Sequence, residues 1–428
     1  MKIRIILSYL LIFIAGIIQA QQRDLNYFLD QARMSSPLIQ KNKNDNKILQ
    51  LDLQQTERIL KSPVISLESG LLFAPIFSHD TNPGTFNLAT SNSTNYSGYD
   101  LGITNGGQYQ AFISARQPLL GKMNLKAYSA KSEIANQQNN NSISLNIHEI
   151  GQLVAYQYIL CLKSKTQIGN GKTILIQLED QLAIMHKLVE NAVYKQSDLM
   201  LLEIEKQNME LTIKSSEDDY KANLYDLNLL CGIKDPTQAD ISDIELTLEP
   251  QSTTDSKFLA SYKLDSLGFI ADQSISELKY KPQLNAFANA GYNASGIPTF
   301  DRFGLSAGLT FSWNLYDGGQ RKLERQKLNV NINTLQFEKN YFMTQQQINK
   351  SKIISQLKSL DERRLILVNQ VTKYDQLYKL YADELAHGLV SVMDFKNLLK
   401  DITAKKQDYL LLKMEKQLLV NSYNYWNY

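Results

Sequence analysis

Four stretches of alternating residues constrain this chain more than any other feature. Ile65, Leu67, Leu71 and Phe73 interleave with Ser66, Glu68 and Gly70, and Tyr109, Ala111, Ile113 and Ala115 with Gln108, Gln110, Ser114 and Arg116. Leu284, Ala286, Ala288, Ala290 and Tyr292 alternate with Gln283, Asn285 and Asn289. Leu305, Ala307, Leu309, Phe311, Trp313 and Leu315 alternate with Ser306, Gly308, Thr310, Ser312 and Asn314. Period two over about ten residues describes a strand with one oily and one wet face, at the length of a tilted strand across a bilayer. A soluble sandwich would show many short strands instead. Four strands cannot close a barrel, for which about eight are the practical minimum. An open strand edge in lipid leaves backbone donors and acceptors unpaired. The pattern therefore predicts an obligate oligomer in which other copies of the chain complete a shared barrel.

The remainder reads as long helix. From Lys122 to about Asn191 and from Arg321 to about Ala386 there is no proline, and apolar residues recur every three or four positions. Ile353, Leu357, Leu360, Leu367, Val371, Tyr374, Tyr378 and Tyr381 keep a heptad rhythm, interrupted by Arg364. The rhythm resumes as Leu398, Ile402, Lys405, Tyr409, Leu412, Lys416, Leu419 and Tyr423. Such spacing predicts coiled-coil packing. Helices of this size extend roughly 100 Å, more than one compact domain uses.

The N-terminus sets the compartment. Lys2 and Arg4 precede an apolar run from Ile5 to Ile18, and Gln19-Ala20 gives way to Gln21-Gln22-Arg23-Asp24. This is the layout of a secretory signal peptide, residues 1–20, cleaved after Ala20; an uncleaved anchor needs a longer span with different flanks. No cysteine follows the run to carry a lipid anchor. No later stretch reaches the roughly 18 apolar residues of a membrane helix. At 43% hydrophobic residues the 428-residue chain is too apolar for disorder, and 45 Lys and Arg against 43 Asp and Glu give no nucleic-acid signature.

The sequence also repeats itself. Lys61-Ser62-Pro63-Val64-Ile65-Ser66 resembles Tyr280-Lys281-Pro282-Gln283-Leu284-Asn285 at an offset of 219 (63 to 282). Phe112 to Leu120 resembles Gly308 to Tyr316 at an offset of 196, and Tyr194-Lys195-Gln196-Ser197 aligns with Gly388-Leu389-Val390-Ser391 at 194. The first drop implies an insertion of about 23 residues in the first half, falling in the polar stretch from His79 to Gly107, an exposed loop. The second implies two extra residues at Gly169-Asn170-Gly171, read as a kink or bulge.

Further motifs stand in the same order: Asp24-Leu25, Ala32 and Ser36-Pro37-Leu38-Ile39 at the start, and Tyr280-Lys281-Pro282-Gln283-Leu284 entering a strand. Trp313-Asn314-Leu315-Tyr316-Asp317-Gly318-Gly319 leaves one, Leu229-Leu230-Cys231-Gly232 ends the first repeat, and Gly388-x-x-Ser391-x-x-Asp394-Phe395 stands at a hairpin tip. In their order and duplication these features carry a resemblance to the TolC-like outer-membrane efflux protein family. It implies a mixed α/β membrane protein with two internal repeats. A trimeric, shared antiparallel β-barrel, four strands per chain, continues into a long α-helical coiled-coil barrel. The implied division is signal peptide 1–20, first repeat 21–232 (strands about 63–77 and 107–118), linker or equatorial segment 233–252, and second repeat 253–428 (strands about 282–296 and 303–316). The implied role is a passive exit duct in the bacterial outer membrane with its helices in the periplasm. It would work in a tripartite efflux or type I secretion system with a periplasmic adaptor, an inner-membrane pump and outer-membrane lipid as partners. A soluble periplasmic coiled-coil adaptor or a structural spacer is the competing reading; it shares the long helices but has no use for the four strands.

The resemblance places a pore constriction at the periplasmic tip, on Asp394, Asn397, Asp401 and Asp198, and adaptor docking on Tyr194, Ser197, Gly388, Leu389 and Ser391. Asp394, Asn397 and Asp401 share one helical face, with Leu398, Ile402 and Tyr409 beside them for packing. The plain alternative is a solvated face. The first-half tip departs from the family pattern, with Tyr194 where glycine is favoured and Met200 where the acid would lie; Leu385 stands where an aromatic is common. No enzyme, metal or cofactor is expected. Gly171-Lys172-Thr173 lacks the first glycine of a phosphate loop, Thr166 standing there. His79, His148, His186 and His387 are scattered without ligand spacing. Asn92 and Asn95 carry glycosylation-like triplets in the polar loop, and Tyr292, Trp313 and Tyr316 suit either an interfacial belt or lipid-facing packing. Cys161 and Cys231 fall at nearly one height on either side of the turn at Lys195-Gln196. They are either a disulfide or two small buried residues.

Overall fold

A computed structural model describes residues 23–74, 77–78, 87–88, 96–97, 106–234, 240–250, 256–295 and 303–428. The expected signal peptide lies outside the described residues, as do His79, Asn92 and Asn95. The chain runs as helices α1 (Leu25–Ser35) and α2 (Pro37–Lys61), then strand β1 (Val64–Ala74). Three two-residue strands follow, β2 (Phe77–Ser78), β3 (Asn87–Leu88) and β4 (Tyr96–Ser97), paired in the order β3-β2-β4, the last two within the stretch expected to be loop. Next come β5 (Gly106–Pro118), α3 (Gly121–Glu190), α4 (Gln196–Cys231), α5 (Lys257–Glu277), β6 (Gln283–Ser295), β7 (Phe303–Ser312), α6 (Gln320–Ala386) and α7 (Val392–Trp426).

Packing groups these elements into two units: one from the described residues of 1–43, 140–261 and 337–428, the other from 44–139 and 262–336. The expected division at 232 and 253 follows chain order; packing follows space and draws on both halves for each unit.

The second unit holds, beside those short strands, a four-stranded antiparallel sheet in the order β1-β5-β6-β7. Its register sorts side chains by face, as alternation requires. Leu67 stands opposite Ile113, Ile113 opposite Ala290, and Ala290 opposite Leu305; the next row on that face is Ser69, Ala111, Tyr292 and Phe303, and the one after it Leu71, Tyr109 and Ala294. The other face carries Glu68, Ser114, Asn289 and Ser306, and Arg116 Nη2 donates to Glu68 at 3.0 Å. On that polar face Phe112 lies opposite Gly291 and Phe287 opposite Gly308, each aromatic set across from a residue with no side chain. The apolar face is uncovered in the single chain: Leu67 is 79% exposed and Leu305 78%. β7 stops at Ser312, short of the expected 316. Trp313 Nε1 donates to the Tyr280 carbonyl (3.2 Å) and Asn314 Nδ2 to that of Lys279 (3.0 Å), so the chain leaves the ladder there.

The first unit is helical. Leu25, Phe28 and Ala32 of α1 pack with Val154, Tyr158 and Cys161 of α3, Leu224, Leu227 and Cys231 of α4, and Leu410 and Met414 of α7. Ile353, Leu357, Leu360 and Leu367, the start of the expected heptad, are buried against α7. Residues 240–250 form an extended strap held by amide side chains of α7 and of Asn427, which caps its end. Leu246 N–H donates to Gln417 Oε1 (2.6 Å), Glu249 N–H to Asn424 Oδ1 (2.9 Å), and Asn427 Nδ2 to the Pro250 carbonyl (2.8 Å).

The two cysteines share this core as free thiols, so the disulfide alternative is corrected: equal height brought them into one cluster without a bond. Burial pushes both thiols up to about 12. Thiolate is the reactive form, so maleimide at neutral pH should leave both unmodified in the native protein and label two per chain after denaturation. Labelling of the native protein at either cysteine would contradict this packing.

Candidate functional site

The tip of the first unit is built from two helix turns. Between α3 and α4 the chain reverses at Ala192, with φ 59°; between α6 and α7 it reverses at Gly388, with φ 74°. Left-handed backbone is rare for a residue with a side chain, and Ala192 adopts it at an offset of 196 from Gly388. The same offset separates the ends of α3 and α6 (190 and 386) and the starts of α4 and α7 (196 and 392). The expected pairing of Tyr194 with Gly388 is therefore corrected to Ala192 with Gly388. No extra pair of residues is needed, and Gly169-Asn170-Gly171 sits inside an uninterrupted α3.

The corrected register puts Asp198 at the place of Asp394, each in the first turn of its helix. Asp198 Oδ2 accepts the Lys195 N–H at 3.1 Å. Ser391 caps α7: its Oγ accepts the Asp394 N–H (3.0 Å) and donates to Asp394 Oδ2 (2.6 Å). Both acids thus satisfy helix-start groups and lie at the positive end of a helix dipole. Asp394, Asn397 and Asp401 are all exposed, while Phe395, Leu398, Leu399 and Ile402 are buried. The expected stripe exists as an exposed polar face.

Tyr194 ties the two turns together. Its hydroxyl donates to the Val390 carbonyl at 2.6 Å, with the Leu385 carbonyl at 3.3 Å. Burial, with the nearby Asp198 charge, raises the phenol above its ordinary value, so it stays a donor. A Cβ at position 388 would meet Val193 Cγ1 at 2.9 Å, so Gly388 answers both to its φ and to this approach. Beneath lie Met185, Leu199, Leu202, Leu385 and Phe395, with the Tyr378 ring 5.8 Å from Phe395. Leu385, standing where an aromatic was expected, is fully buried. Leu389 projects from the turn, 78% exposed, beside exposed Ser391; Ser197 is exposed on the other turn. Sequence reading missed Ala192, because nothing in an alanine announces positive φ.

A second constellation, in the other unit, joins sheet to helix. Asp317 accepts the N–H groups of Gly319 (2.9 Å) and Arg321 (2.7 Å), starting α6. Glu277 accepts Arg321 Nε and Arg325 Nε, both at 2.8 Å, and the Arg321 guanidinium lies 5.1 Å from the Tyr280 ring centre. The two guanidinium hydrogen bonds hold the Glu277 carboxyl down at about 2. Its stabilising contribution is complete above pH 4.5 and is lost as pH falls toward 2. Melting temperature should therefore fall less steeply across that window in Glu277→Gln than in the parent. Parallel curves would show that the pair contributes nothing.

Among the described residues no group of three or more His, Cys, Asp or Glu is placed to hold a metal, and no helix is long and apolar enough to cross a membrane.

No protein-family model matches the chain, and no curated protein matches it. Solved structures do. The CmeC outer membrane channel of Campylobacter jejuni is 11% identical over 94% of this chain and 85% of its own, with a TM-score of 0.67. The outer membrane protein VceC of Vibrio cholerae is 12% identical over 94% and 95%, also at 0.67. The MtrE outer membrane channel of Neisseria gonorrhoeae, in its open state, is 11% identical over 94% and 88%, at 0.65. At such identity the likeness is one of fold, and the fold is that of TolC-like outer-membrane channels, as the sequence motifs implied.

Proposed function

We propose that this chain is the outer-membrane exit duct of a tripartite efflux or type I secretion system. The observation that carries the reading is the sheet. It has a predominantly apolar face whose large side chains are exposed to solvent in the single chain, and edge strands β1 and β7 that pair with no further strand among the described residues. Strands of 10 to 13 residues suit a tilted bilayer crossing. Three copies, each pairing β7 with the neighbour's β1, give twelve strands and leave no edge in lipid. The long helices then continue as a periplasmic tunnel. The offset of 196, kept from Phe112 in β5 to the helix turns, supports reading the two halves as a duplication. A soluble adaptor or spacer has no use for a face of Leu67, Ile113, Leu305 and Leu309.

In this reading the duct is passive and does no chemistry on its cargo. The tip carries its two tasks. The turns bearing Tyr194, Ser197, Gly388, Leu389 and Ser391 meet a periplasmic adaptor, which brings the inner-membrane pump. Asp394, Asn397, Asp401 and Asp198 line the narrow end, where threefold symmetry sets like charges around the axis and favours cations. Asp394→Asn should lower cation selectivity in planar bilayers; because Asn still accepts from Ser391, the trimer yield should hold. Unchanged conductance and selectivity would leave Asp394 a helix-capping residue only.

A further inference from the structure

At the helix-joined end of the sheet, acidic and basic side chains do not balance. Glu57 pairs with Lys61, Glu277 with Arg321 and Arg325, and Glu324 with Lys327, while Asp317 caps α6. Lys122, Lys126, Lys279, Lys281 and Lys322 are exposed, and none has a carboxylate within ion-pair distance among the described residues. These lysines stand beside uncovered apolar side chains. Leu119 and Met123 adjoin Lys122 and Lys126. Trp313, Leu315 and Tyr316 follow β7 beside the segment that leads into β6, where the Trp313 and Asn314 side chains donate to the carbonyls of Tyr280 and Lys279, next to Lys281. Leu315 is 79% exposed and Tyr316 88%. The arrangement recurs at the same offset: Leu119 and Lys126 match Leu315 and Lys322. The opposite end of the sheet carries no charge among residues 72–74, 106–108, 293–295 and 303–305.

We infer that this end of the sheet is a binding collar for anionic phospholipids of the periplasm-facing leaflet, such as phosphatidylglycerol. The inference rests on the membrane reading above. An aromatic ring at a strand end lies at headgroup level, its apolar body against acyl chains and its polar edge in the interface. Lysines without carboxylate partners, on long flexible stems beside that ring, reach the phosphate layer and keep their full charge for it. A second protein surface would also need carboxylates to match these lysines, whereas an anionic headgroup supplies the charge and the apolar tail together. Threefold assembly repeats the set around the barrel.

The test uses the full chain with Trp426→Phe, which leaves Trp313 as the sole tryptophan. The protein is reconstituted into bilayers containing brominated phosphatidylglycerol or brominated phosphatidylcholine at equal fraction, and Trp313 quenching gives the relative binding constant of the two lipids. The expected preference for phosphatidylglycerol is about fivefold, the effect of one lysine's worth of attraction at a membrane surface. It should vanish in Lys279→Gln/Lys281→Gln/Lys322→Gln and persist in the matching arginine variant. Equal quenching by both lipids in the parent, or an undiminished preference in the glutamine variant, overturns the collar while leaving the membrane reading intact. Quenching by neither lipid takes Trp313 out of the bilayer and overturns both.

Discussion

Gly291→Val removes the protein from the membrane fraction. Gly291 faces Phe112 across the β5–β6 ladder, and a Cβ there would fall inside contact distance of the Ala111 carbonyl oxygen and of Phe112 Cα and Cβ. Those atoms are backbone or fixed to it, so relief requires the strands to separate or slip. A slip by one residue would turn Tyr292 and Ala290 to the polar face and expose Asn289 and Asn293 to lipid. The cost is on the order of 3 kcal/mol within one sheet, at the upper end for overpacking, and it recurs in every copy. The control lies on the neighbouring strand. Gly304 pairs directly with Gly291, yet a Cβ at Gly304 meets nothing within 4 Å. Gly304→Val should therefore assemble like the parent. Membrane yield and thermal melting of the two variants are the measurements. Equal behaviour would mean that the β5–β6 approach is looser than described.

The second large effect is at the tip. Tyr194→Ala removes a packed ring and the hydroxyl that joins the first turn to the Val390 carbonyl. About 2–3 kcal/mol of local stability should go, combining the lost contacts with a carbonyl left without its donor. Tyr194→Phe separates the terms, costing about 1 kcal/mol for the hydrogen bond alone. In the duct reading Tyr194→Ala frees the two turns from each other, so single-channel conductance should rise with trimer yield unchanged, and Tyr194→Phe should fall between. If conductance stays at the parent value while the tip melts earlier, Tyr194 serves stability and the constriction lies elsewhere.

What could be read in advance follows physical range. The strands were legible because a face pattern is local: Leu305, Ala307, Leu309 and Phe311 point one way whatever surrounds them. The buried stripe Leu398, Ile402 and Leu412 was legible for the same reason at helical period. The tip was misread by two residues, because glycine at 388 advertises a left-handed turn and alanine at 192 does not. Ala192 holds its strained backbone through the packing of Val193 and Tyr194 against the second turn, contacts that bridge about 190 residues of chain. The Glu277 pairs with Arg321 and Arg325, and the amide bonds that hold the strap at 240–250, were equally out of reach, since their partners lie far apart in sequence and carry no periodicity. Cys161 and Cys231 show the intermediate case. Counting along antiparallel helices gave their height but not the direction of either side chain.

The central claim is that a four-stranded sheet, unable to close alone, is completed by copies of the same chain. Native mass measurement of the protein extracted from membranes in mild detergent tests it most directly. The account predicts a particle of three chains, with no stable monomer. A stable, detergent-free soluble monomer, or a monomer as the dominant membrane-extracted species, would contradict it.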